Sequence, residues 1–461
     1  MINPNAYPTP RRAWLTVFIL LLAYVLSFMD RQIVYLLVAP IRRDMVLTDT
    51  KISLLMGLSF AIFYAIAGIP LGRVVDTKSR RGLIFCGVLF WSLMTASCGL
   101  AKVYWQLLLM RVGTGAGEAT LSPAAYSILA DSFPPQKRAT AISVYGIGVY
   151  IGIGMAYLLG GAIITWANAR GDVILPLFGH IKPWQVIFLV LGALGILFAL
   201  PLLAIKEPTR KGAGAGVVVP LKDVGRYIVG LRKAVLSHNR GFGCLVFAAS
   251  GVGAWTPTFL LRDHGMTLGK VGLYVGSISI VAGSLGVMSG GRLADYLARR
   301  GFRDSNMRVG LLGGVLTALG GVGYLIDNLT LLWIFMFVYT FAAAMPNGVA
   351  AAAIQEIMPN SMRGQTSAIY LLAVTLIGLG LGPTAVALVT DYVFRDDMAV
   401  RNSIVWVGSI ASGLGALLIW SGLKPYAQAR QTLEDWGAQH GNSDGLIPAP
   451  HEGTTLQRAS L

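Results

Sequence analysis

The sequence predicts an all-α integral membrane protein whose twelve transmembrane helices form two pseudo-symmetric six-helix bundles. The first observation is composition: 55% of the 461 residues are hydrophobic and 13% are charged, whereas about a quarter of the residues in a soluble protein are charged. The second is a series of apolar runs of about 20 residues, the length that a helix needs to cross a bilayer. The third is a pair of motifs that each occur twice, at nearly the same offset.

The apolar runs fall into two sets of six. Those of the first set cover residues 14–39, 52–75, 82–101, 104–130, 139–164 and 184–205. Those of the second set cover residues 241–261, 270–293, 309–327, 329–355, 365–390 and 402–421. Arg11 and Arg12 precede the first apolar run, as a pair of arginines does in a twin-arginine export signal. That run, however, has no small-residue cleavage site. We therefore expect that run to be the first transmembrane helix.

The basic residues predict which side of the membrane each loop occupies. Of the 37 Lys and Arg residues, 25 lie in the two tails and in the loops on the same side as the tails, and 10 lie in the loops on the other side. Because Lys and Arg are enriched in cytoplasmic loops, we expect a multi-pass plasma (inner) membrane protein with both termini in the cytoplasm. The net charge of +16 is spread over these loops, so it does not indicate nucleic acid as a partner.

These boundaries divide the chain into five parts. They are an N-terminal cytoplasmic tail (1–13), an N-terminal six-helix bundle (14–205), a cytoplasmic linker (206–240), a C-terminal six-helix bundle (241–421) and a C-terminal cytoplasmic tail (422–461). The linker has apolar residues at helical spacing with basic residues off that face, which fits either a helix on the membrane surface or a helix packed against the bundle. The polar C-terminal tail is expected to be disordered after Lys424.

The first apolar run contains a polar stripe. Tyr24, Ser27, Asp30 and Arg31 are spaced so that a helix places them on one side. Ionised groups inside a membrane are costly, so they usually line a water-filled path or pair with each other. Two interpretations follow. Either the stripe faces a central cavity and Asp30 takes part in proton coupling, or the charges form a structural ion pair between two helices.

The fourth apolar run contains Arg111 and Glu118, which are seven residues apart and therefore share one face of a helix. The alternating glycines between them do not indicate a dinucleotide-binding loop, because the strand–turn–helix context of such a loop is missing. Asp30 and Arg31 lie at a comparable depth in the first run. We predict that these two acids and two bases meet inside the N-terminal bundle, where the glycines let the helices approach.

Two motifs are repeated between the halves of the chain. Residues 72–81 and 291–300 both follow the pattern G-x-[LV]-[AV]-D-x-x-[SA]-R-R and begin 219 residues apart. The second motif is an acid with a proline three residues later and an arginine seven residues later. It begins at Asp131 and again at Glu356, 225 residues apart. Two matching pairs at nearly equal offsets indicate two homologous halves.

The first motif resembles the signature loop of the major facilitator superfamily, and the resemblance covers the whole chain, which implies the major facilitator fold. The loops can form a cytoplasmic gate, in which the glycine permits close helix contact, the aspartate faces a helix N-terminus and the arginines pair with carboxylates. The alternative is that these charges only set the topology. The predicted gate residues are Gly72, Asp76, Arg80, Asp131, Arg138, Asp295, Arg299, Glu356 and Arg363.

Three further segments resemble the spinster family more narrowly. They are Met29-Asp30-Arg31, the segment from Arg111 to Glu118, and Phe-Trp-Ser-Leu at 90–93. The resemblance implies that the charged positions couple protons and gate the substrate, and that the substrates are lysophospholipids or sphingoid phosphates. The chain departs from the family at Trp184-Gln185-Val186, where family members often have Trp-Arg-Trp, so a contact from that arginine is not expected.

The predicted function is proton-coupled secondary active transport by alternating access, with an amphipathic anionic lipid as the substrate. Asp30 and Glu118 are the predicted proton-coupling residues. The predicted substrate-binding or gating residues are Arg31, Arg111, Tyr24, Ser27, Asn347 and Trp255, and core packing is the alternative for the last two. The expected partners are the lipid bilayer, the substrate and protons. We expect a monomer without cofactors or metals.

Other functions fit parts of the same pattern. The arginines suit a sugar acid equally well, which leaves an organic-anion facilitator open, and a multidrug–proton antiporter would bind cations and tolerate Arg31→Ala. The duplicated loops argue against a channel or a receptor that does not transport. An enzyme is not expected, because no catalytic, metal-binding or nucleotide-binding pattern is present. Cys86, Cys98 and Cys244 lie in apolar runs, and the histidines are assigned to loops or tails.

Overall fold

The computed structural model describes residues 7–176, 179–210, 220–359 and 362–440. The described chain is helical almost throughout, because a backbone in hydrocarbon must satisfy its N–H and C=O groups within its own segment. The membrane helices are called span 1 to span 12 in chain order. Spans 1 to 6 comprise Pro10–Leu36; Asp49–Ser53, Leu54–Leu58 and Ser59–Thr77; Arg80–Cys98; Tyr104–Glu118 and Leu121–Ser132; Pro135–Arg170; and Pro183–Leu202.

The C-terminal half has the same order of spans, and shorter elements connect them. Spans 7 to 12 comprise Arg232–Arg262; Leu268–Ile278, Ser279–Gly283 and Ser284–Arg299; Ser305–Gly321; Leu329–Glu356; Arg363–Val374, Thr375–Leu381, Gly382–Leu388 and Val389–Phe394; and Val400–His440. The connecting elements are helices Val38–Met45 and Leu221–Gly230, 3-10 turns Val322–Leu325 and Asp397–Ala399, and strands β1 (Val173–Leu175) and β2 (Gly179–Ile181). The strands pair in an antiparallel hairpin between spans 5 and 6, which the sequence does not predict.

The described helices confirm the predicted number of crossings, with one of them divided. Eleven helices in the described ranges are long and apolar enough to cross a membrane. The remaining predicted crossing, at residues 104–130, is present as two shorter helices that are separated at Ala119 and Thr120. The break directly follows Glu118, so this carboxylate lies at a helix end inside span 4.

Both halves contain the same local irregularity. Leu54–Leu58 in span 2 and Ser279–Gly283 in span 8 are π-helical and begin 225 residues apart, which is the offset of the second repeated motif. Each π-helical segment packs against a span of the other half: the first against span 11 and the second against span 5. Because π-helical turns are rare and often mark functional sites, their matching positions support two homologous halves.

The two ends of the helical region differ from the predicted bounds. Span 1 begins at Pro10, inside the predicted tail, because proline is well suited to the first turn of a helix. The expected disorder after Lys424 is wrong for the part of the tail that the structure describes. Span 12 continues as a helix to His440, and residues 441–461 lie outside the described ranges.

The linker helix Leu221–Gly230 packs against the C-terminal half. Val224 is 0% exposed and Tyr227 is 4% exposed, and the Tyr227 hydroxyl donates to the carbonyl of Ile357 at 3.3 Å. Lys222 and Arg226 are exposed on the other side. Of the two interpretations of the linker, a helix packed against the bundle is the one that the structure shows.

The two membrane sides differ in how they join the halves. The side where span 1 begins and span 12 ends is called the tail face here, and the other side is called the opposite face. At the opposite face, Arg262 of span 7 donates to Asp49 at the start of span 2, and Thr50 donates to Asp391 of span 11. The ion pairs around Arg80 and those of Glu356 lie at the tail face, and the partners in each belong to one half. The structure is therefore closed at the opposite face.

A glycine contact between spans 3 and 6 gives the first prediction. A Cβ added at Gly192 would lie 2.5 Å from the backbone nitrogen of Ala96, whereas one added at Gly146 would meet nothing within 4 Å. We expect Gly192→Ala to lower the melting temperature in detergent, because overpacking costs about 1–3 kcal/mol. Gly146→Ala should leave it unchanged or raise it, because alanine favours helices. Tryptophan fluorescence measures both, and equal melting temperatures for the two variants would contradict this packing.

Candidate functional site

Glu118 is the centre of a buried polar cluster between spans 1 and 4. Its side chain is 0% exposed. Its Oε2 accepts a hydrogen bond from the Ser27 hydroxyl at 2.5 Å and another from Arg31 Nε at 2.6 Å. Ser27 and Arg31 are four residues apart, so span 1 presents both of them to span 4. The positive charge of Arg31 neutralises the carboxylate inside the bundle.

Aromatic rings enclose the other sides of the Arg31 guanidinium. Its carbon Cζ lies 4.8 Å from the ring centre of Phe28, 4.6 Å from that of Phe60 and 4.9 Å from that of Tyr64. The faces of aromatic rings attract a cation, and more strongly where water is excluded. Arg31 is therefore held by one carboxylate and three rings, and its side chain is only 13% exposed.

Arg111 and Asp30 lie beside this pair, and both retain hydrogen-bonding capacity. Arg111 Nη1 donates to the backbone carbonyl of Asp30 at 2.9 Å, while its buried Nε and Nη2 have no hydrogen-bond partner in the part of the chain that the structure describes. The Asp30 carboxylate accepts a hydrogen bond from the Thr95 hydroxyl at 3.2 Å. Among the described residues, Oε1 of Glu118 is also buried without a hydrogen-bond partner. The site therefore combines an acid–base pair that keeps one free acceptor, an arginine with free donors and an acid held by a neutral donor.

Small residues on span 4 allow these charges to meet. A Cβ added at Gly115 would lie 2.8 Å from the backbone oxygen of Phe60, and one added at Gly117 would lie 2.8 Å from Cβ of Trp91. Spans 2 and 3 therefore pack against the backbone of span 4, as small residues permit in membrane proteins. This close packing puts the Phe60 ring over Arg31, and a larger residue at either glycine would move a span away.

Tyr24 belongs to an aromatic group next to the charged cluster. Its ring stacks on that of Tyr145 from span 5 with the ring centres 4.3 Å apart. Tyr126 of span 4 meets Tyr145 edge-on at 5.5 Å. The Tyr145 hydroxyl is buried and has no hydrogen-bond partner among the described residues. Tyr24 thus links span 1 to span 5, one helical turn from Ser27 on the side of the tail face.

The two candidates from the C-terminal half lie in different environments. Asn347 of span 10 is exposed, and its Nδ2 donates to the Tyr150 hydroxyl of span 5 at 2.7 Å. It therefore contacts the N-terminal half. Trp255 is 0% exposed and donates its indole N–H to the carbonyl of Pro383 at 2.8 Å. Trp255 is a core residue that joins spans 7 and 11 in this conformation, and it lies outside the charged cluster.

The tail-face motif of the N-terminal half surrounds Arg80, which is 0% exposed. Arg80 pairs with Asp131, and its Nε also pairs with Glu207 at 3.0 Å. Glu207 accepts further hydrogen bonds from the Ser79 hydroxyl at 2.7 Å and from the Arg80 backbone N–H at 3.0 Å. Partial burial raises the pKa of Glu207, but these hydrogen bonds outweigh it and lower the pKa to about 2. Sequence reasoning missed Glu207, although it lies near the start of the predicted linker.

The corresponding motif of the C-terminal half is arranged differently. Glu356 accepts hydrogen bonds from Arg430 at 3.0 Å and from the Tyr426 hydroxyl at 2.9 Å, and both partners lie on the extension of span 12. The expected pairing of Glu356 with the loop arginines is wrong in this conformation. Asp295 and Arg299 are exposed and form no ion pair with the described residues. The helical extension, which was expected to be disordered, supplies the partner instead.

The other predicted gate residues have local roles or are not described. Arg363 Nε donates to the backbone carbonyls of Gln355, at the end of span 10, and of Met358, in the loop that follows, at 3.0 and 3.1 Å. The Nε of Arg138 is buried without a hydrogen-bond partner in the described part of the chain. The surroundings of Gly72 and of the Asp76 side chain lie outside the described part of the structure. Their role in a gate therefore stays a prediction.

In the C-terminal half, the close helix contact expected of the motif glycine, Gly291, is made by the preceding residue, Gly290. A Cβ added at Gly291 would meet nothing within 4 Å. One added at Gly290 would lie 3.0 Å from the carbonyl carbon of Met345 in span 10. The expectation for Gly291 is wrong, because the helix turns Gly290 towards span 10.

His238 lies inside a span and not in a loop or tail. His238 is 0% exposed inside span 7, and its Nε2 lies 2.8 Å from the carbonyl of Ala350 in span 10. Its ring packs between Phe242 and Tyr370, with the ring centres 4.8 and 5.0 Å away. The assignment of all histidines to loops or tails is wrong here, because span 7 begins at Arg232, before the apolar run.

The comparisons with known proteins agree with this architecture. A family profile described as the Major Facilitator Superfamily matches residues 20–383. The chain belongs to the Major Facilitator Superfamily. It is a multi-pass membrane transporter for a small-molecule substrate and not an enzyme. An MFS-type efflux pump of Mycolicibacterium smegmatis is 31% identical over 416 residues, which cover 89% of this chain and 92% of that protein.

Other superfamily members differ in the substrates that their names state. The D-galactonate transporter of Escherichia coli is 24% identical over 90% of this chain and 96% of its own length. The sphingosine-1-phosphate transporter of Mus musculus is 26% identical over 53% of this chain and 43% of its own length. A solved bacterial homologue of the human lysosomal transporter Spinster, in an inward-facing and occupied conformation, has a TM-score of 0.73 and 25% identity. The structural match covers 93% of this chain and 99% of the solved homologue. The resemblance to the spinster family is confirmed.

The Glu207 contacts predict a pH-dependent contribution to stability. Because the pKa of Glu207 is lowered to about 2 from an ordinary value of 4.5, its charged form stabilises the folded state above about pH 4.5. That contribution is lost as the pH falls towards about 2. At neutral pH we expect Glu207→Gln to lower the free energy of unfolding by about 2 kcal/mol, because hydrogen bonds to a charged group are lost.

Melting temperatures in detergent, measured from neutral to acidic pH, test this prediction. The difference between wild type and Glu207→Gln should shrink as the pH falls. Glu434→Gln is the control, because Glu434 pairs with Arg303 and Arg430 at a position where its side chain is 45% exposed and such pairs contribute little. A constant difference at all pH values would contradict the role given to the Glu207 charge.

Proposed function

We propose that the protein is a proton-coupled transporter for an amphipathic anionic lipid, such as a lysophospholipid or a sphingoid phosphate. The observation that carries this proposal is the buried cluster of spans 1 and 4, in which Arg31 neutralises Glu118 at 2.6 Å beside Asp30 and Arg111. The likeness to the spinster homologue and the sphingosine-1-phosphate transporter supports a lipid substrate. The transporter works as a monomer by alternating access. A proton gradient drives it, and it uses no cofactor.

Glu118 is proposed to exchange its cation partner for a proton. A carboxylate inside the membrane needs one or the other, because an unpaired buried charge is costly. When the Arg31 side chain leaves Glu118 while spans 1 and 4 stay packed, a proton takes its place. When Arg31 returns, the proton is released. Asp30 is the second proton-binding residue, and its carboxylate accepts a hydrogen bond from the neutral Thr95 hydroxyl at 3.2 Å.

Arg111 is proposed to bind the anionic head group. A guanidinium presents five N–H donors in a plane, which suits the oxygen atoms of a phosphate or a carboxylate. Nη1 of Arg111 donates to the backbone carbonyl of Asp30, and Nε and Nη2 remain able to donate to a ligand. The acyl chain would lie along the C-terminal half, where residues 309–355 contain a single charged residue, Asp327.

The tail face is proposed to be cytoplasmic. Of the 37 basic residues, 25 lie in the tails and in the loops of that side, as the positive-inside rule requires for the plasma (inner) membrane. The opposite face is then external. Since the structure is closed at the opposite face, it represents the inward-facing half of an alternating-access cycle.

A sugar-acid facilitator is the second candidate. The extent of the match favours it, because the D-galactonate transporter aligns with 90% of this chain and the sphingosine-1-phosphate transporter with 53%. The carboxylate of a sugar acid would use the same free donors of Arg111. The two candidates differ in the rest of the substrate, which is a chain of hydroxyl groups in one case and hydrocarbon in the other.

Proteoliposomes with an imposed pH gradient test the proposal. We expect the wild-type protein to move a labelled lysophospholipid at a rate that depends on the gradient. Glu118→Gln should reduce the gradient-dependent flux to that of protein-free liposomes, because an amide neither binds nor releases a proton. Glu434→Gln removes an exposed carboxylate of the span 12 extension and should transport like wild type.

Two results would contradict the proposal in different ways. Gradient-driven uptake of labelled galactonate without lysophospholipid flux would replace the lipid substrate by a sugar acid. Lysophospholipid flux that still follows the pH gradient in Glu118→Gln would remove Glu118 from the coupling mechanism.

A further inference from the structure

The opposite face is closed by a set of charged residues from both halves, called the outer lock here. Arg42 and Asp49 come from the N-terminal half, and Arg262, Asp391 and Asp397 come from the C-terminal half. The three aspartates each place a carboxylate oxygen within 4.8 Å of the others. The two arginines neutralise most of this negative charge, so the lock depends on them for its cohesion.

The lock has an inner and an outer ion pair, and Arg42 of the outer pair also contacts the inner one, with its Nε 3.3 Å from Asp49 Oδ1. Arg262 donates to both oxygens of Asp49, at 2.7 and 2.8 Å. Arg42 donates to Asp397 at 2.6 Å. The side chains of the inner pair are 0% exposed for Asp49 and 14% for Arg262, whereas those of the outer pair are 25% exposed for Arg42 and 52% for Asp397.

We propose that the Asp49–Arg262 pair holds the opposite face closed and that the Arg42–Asp397 pair is dispensable for closure. A bidentate, buried arginine–carboxylate pair is strong and directional. Loss of Asp49 leaves Arg262, whose side chain is 14% exposed, without its carboxylate partner, which favours a conformation where water reaches the charge. Loss of Arg262 removes both hydrogen bonds from the C-terminal half to the buried Asp49 and leaves the contact with Arg42 at 3.3 Å, which lies within the N-terminal half. The exposed outer pair is already solvated, and such pairs contribute little. This inference concerns closure alone and holds whichever substrate the protein carries.

The position of the inner pair lets it control the helices directly. Asp49 lies in the first turn of span 2, whose start is capped by the Thr48 side chain, and Arg262 lies in the last turn of span 7. An acid at a helix N-terminus and a base at a C-terminus are each favoured by the helix dipole. Span 7 is tied to span 11 by the hydrogen bond from Trp255 to Pro383 at 2.8 Å. Separation of Asp49 from Arg262 therefore releases the end of span 7 from the start of span 2 and leaves the hydrogen bonds from Thr50 to Asp391 of span 11 to carry the contact with the C-terminal half.

Distance measurements between spin labels test this inference. Val46 and Leu329 are 88% and 42% exposed, lie at the opposite face and belong to different halves. In a protein whose native cysteines are replaced by alanine, Val46→Cys and Leu329→Cys carry the labels. We expect the otherwise wild-type protein to show mainly the short distance of the closed face. Asp49→Asn should add a longer distance as its main population, and Asp397→Asn should retain the short one.

The arginine side of the pair gives a second, independent readout. Arg262→Gln should produce the same long distance as Asp49→Asn, and the double variant should open no further than either single variant. Arg262→Lys keeps the charge without the bidentate contact, so it should give a mixture of both distances. This milder variant also tests the inference if Asp49→Asn fails to fold. A short distance in Arg262→Gln, or an equally long one in Asp397→Asn, would overturn the proposal.

Discussion

A carboxylate that must be neutralised inside the membrane is the constraint on which the N-terminal half depends. Glu118 is fully buried, and Arg31 supplies its positive partner from another span at 2.6 Å. An unpaired charge at this depth would cost several kcal/mol, so spans 1 and 4 must remain in contact. The glycines of span 4 make that contact possible because Phe60 and Trp91 approach its backbone. Helix packing and charge pairing therefore support each other.

The homologous halves have different contacts at their two faces. At the tail face, Arg80 binds Asp131 of the N-terminal half and Glu207 at the start of the linker that follows it, and Glu356 binds Arg430 within the C-terminal half. At the opposite face, ion pairs join one half to the other. This difference is what a two-state transporter needs, because the contacts within each half preserve it as a rigid body while the contacts between halves form and break.

The sequence predicted the spans and the meeting of spans 1 and 4 because these follow from local rules. Apolar length identifies a span, and helical periodicity puts Ser27 and Arg31 on one side. The ion-pair partners of Arg80 and Glu356 were predicted only in part. Glu207 lies 127 residues from Arg80 and Arg430 lies 74 residues from Glu356, and charge type alone does not select among many such partners. Helix ends were also missed, because span 12 continues beyond the apolar run that identified it.

Proton binding at the Glu118 cluster is proposed to be linked to substrate movement. The most direct measurement records internal pH with a trapped fluorescent dye in proteoliposomes while a lysophospholipid gradient is applied without a pH gradient. We predict a change in internal pH with the wild-type protein and none with Glu118→Gln. Lysophospholipid movement through the wild-type protein with no change in internal pH would contradict the claim.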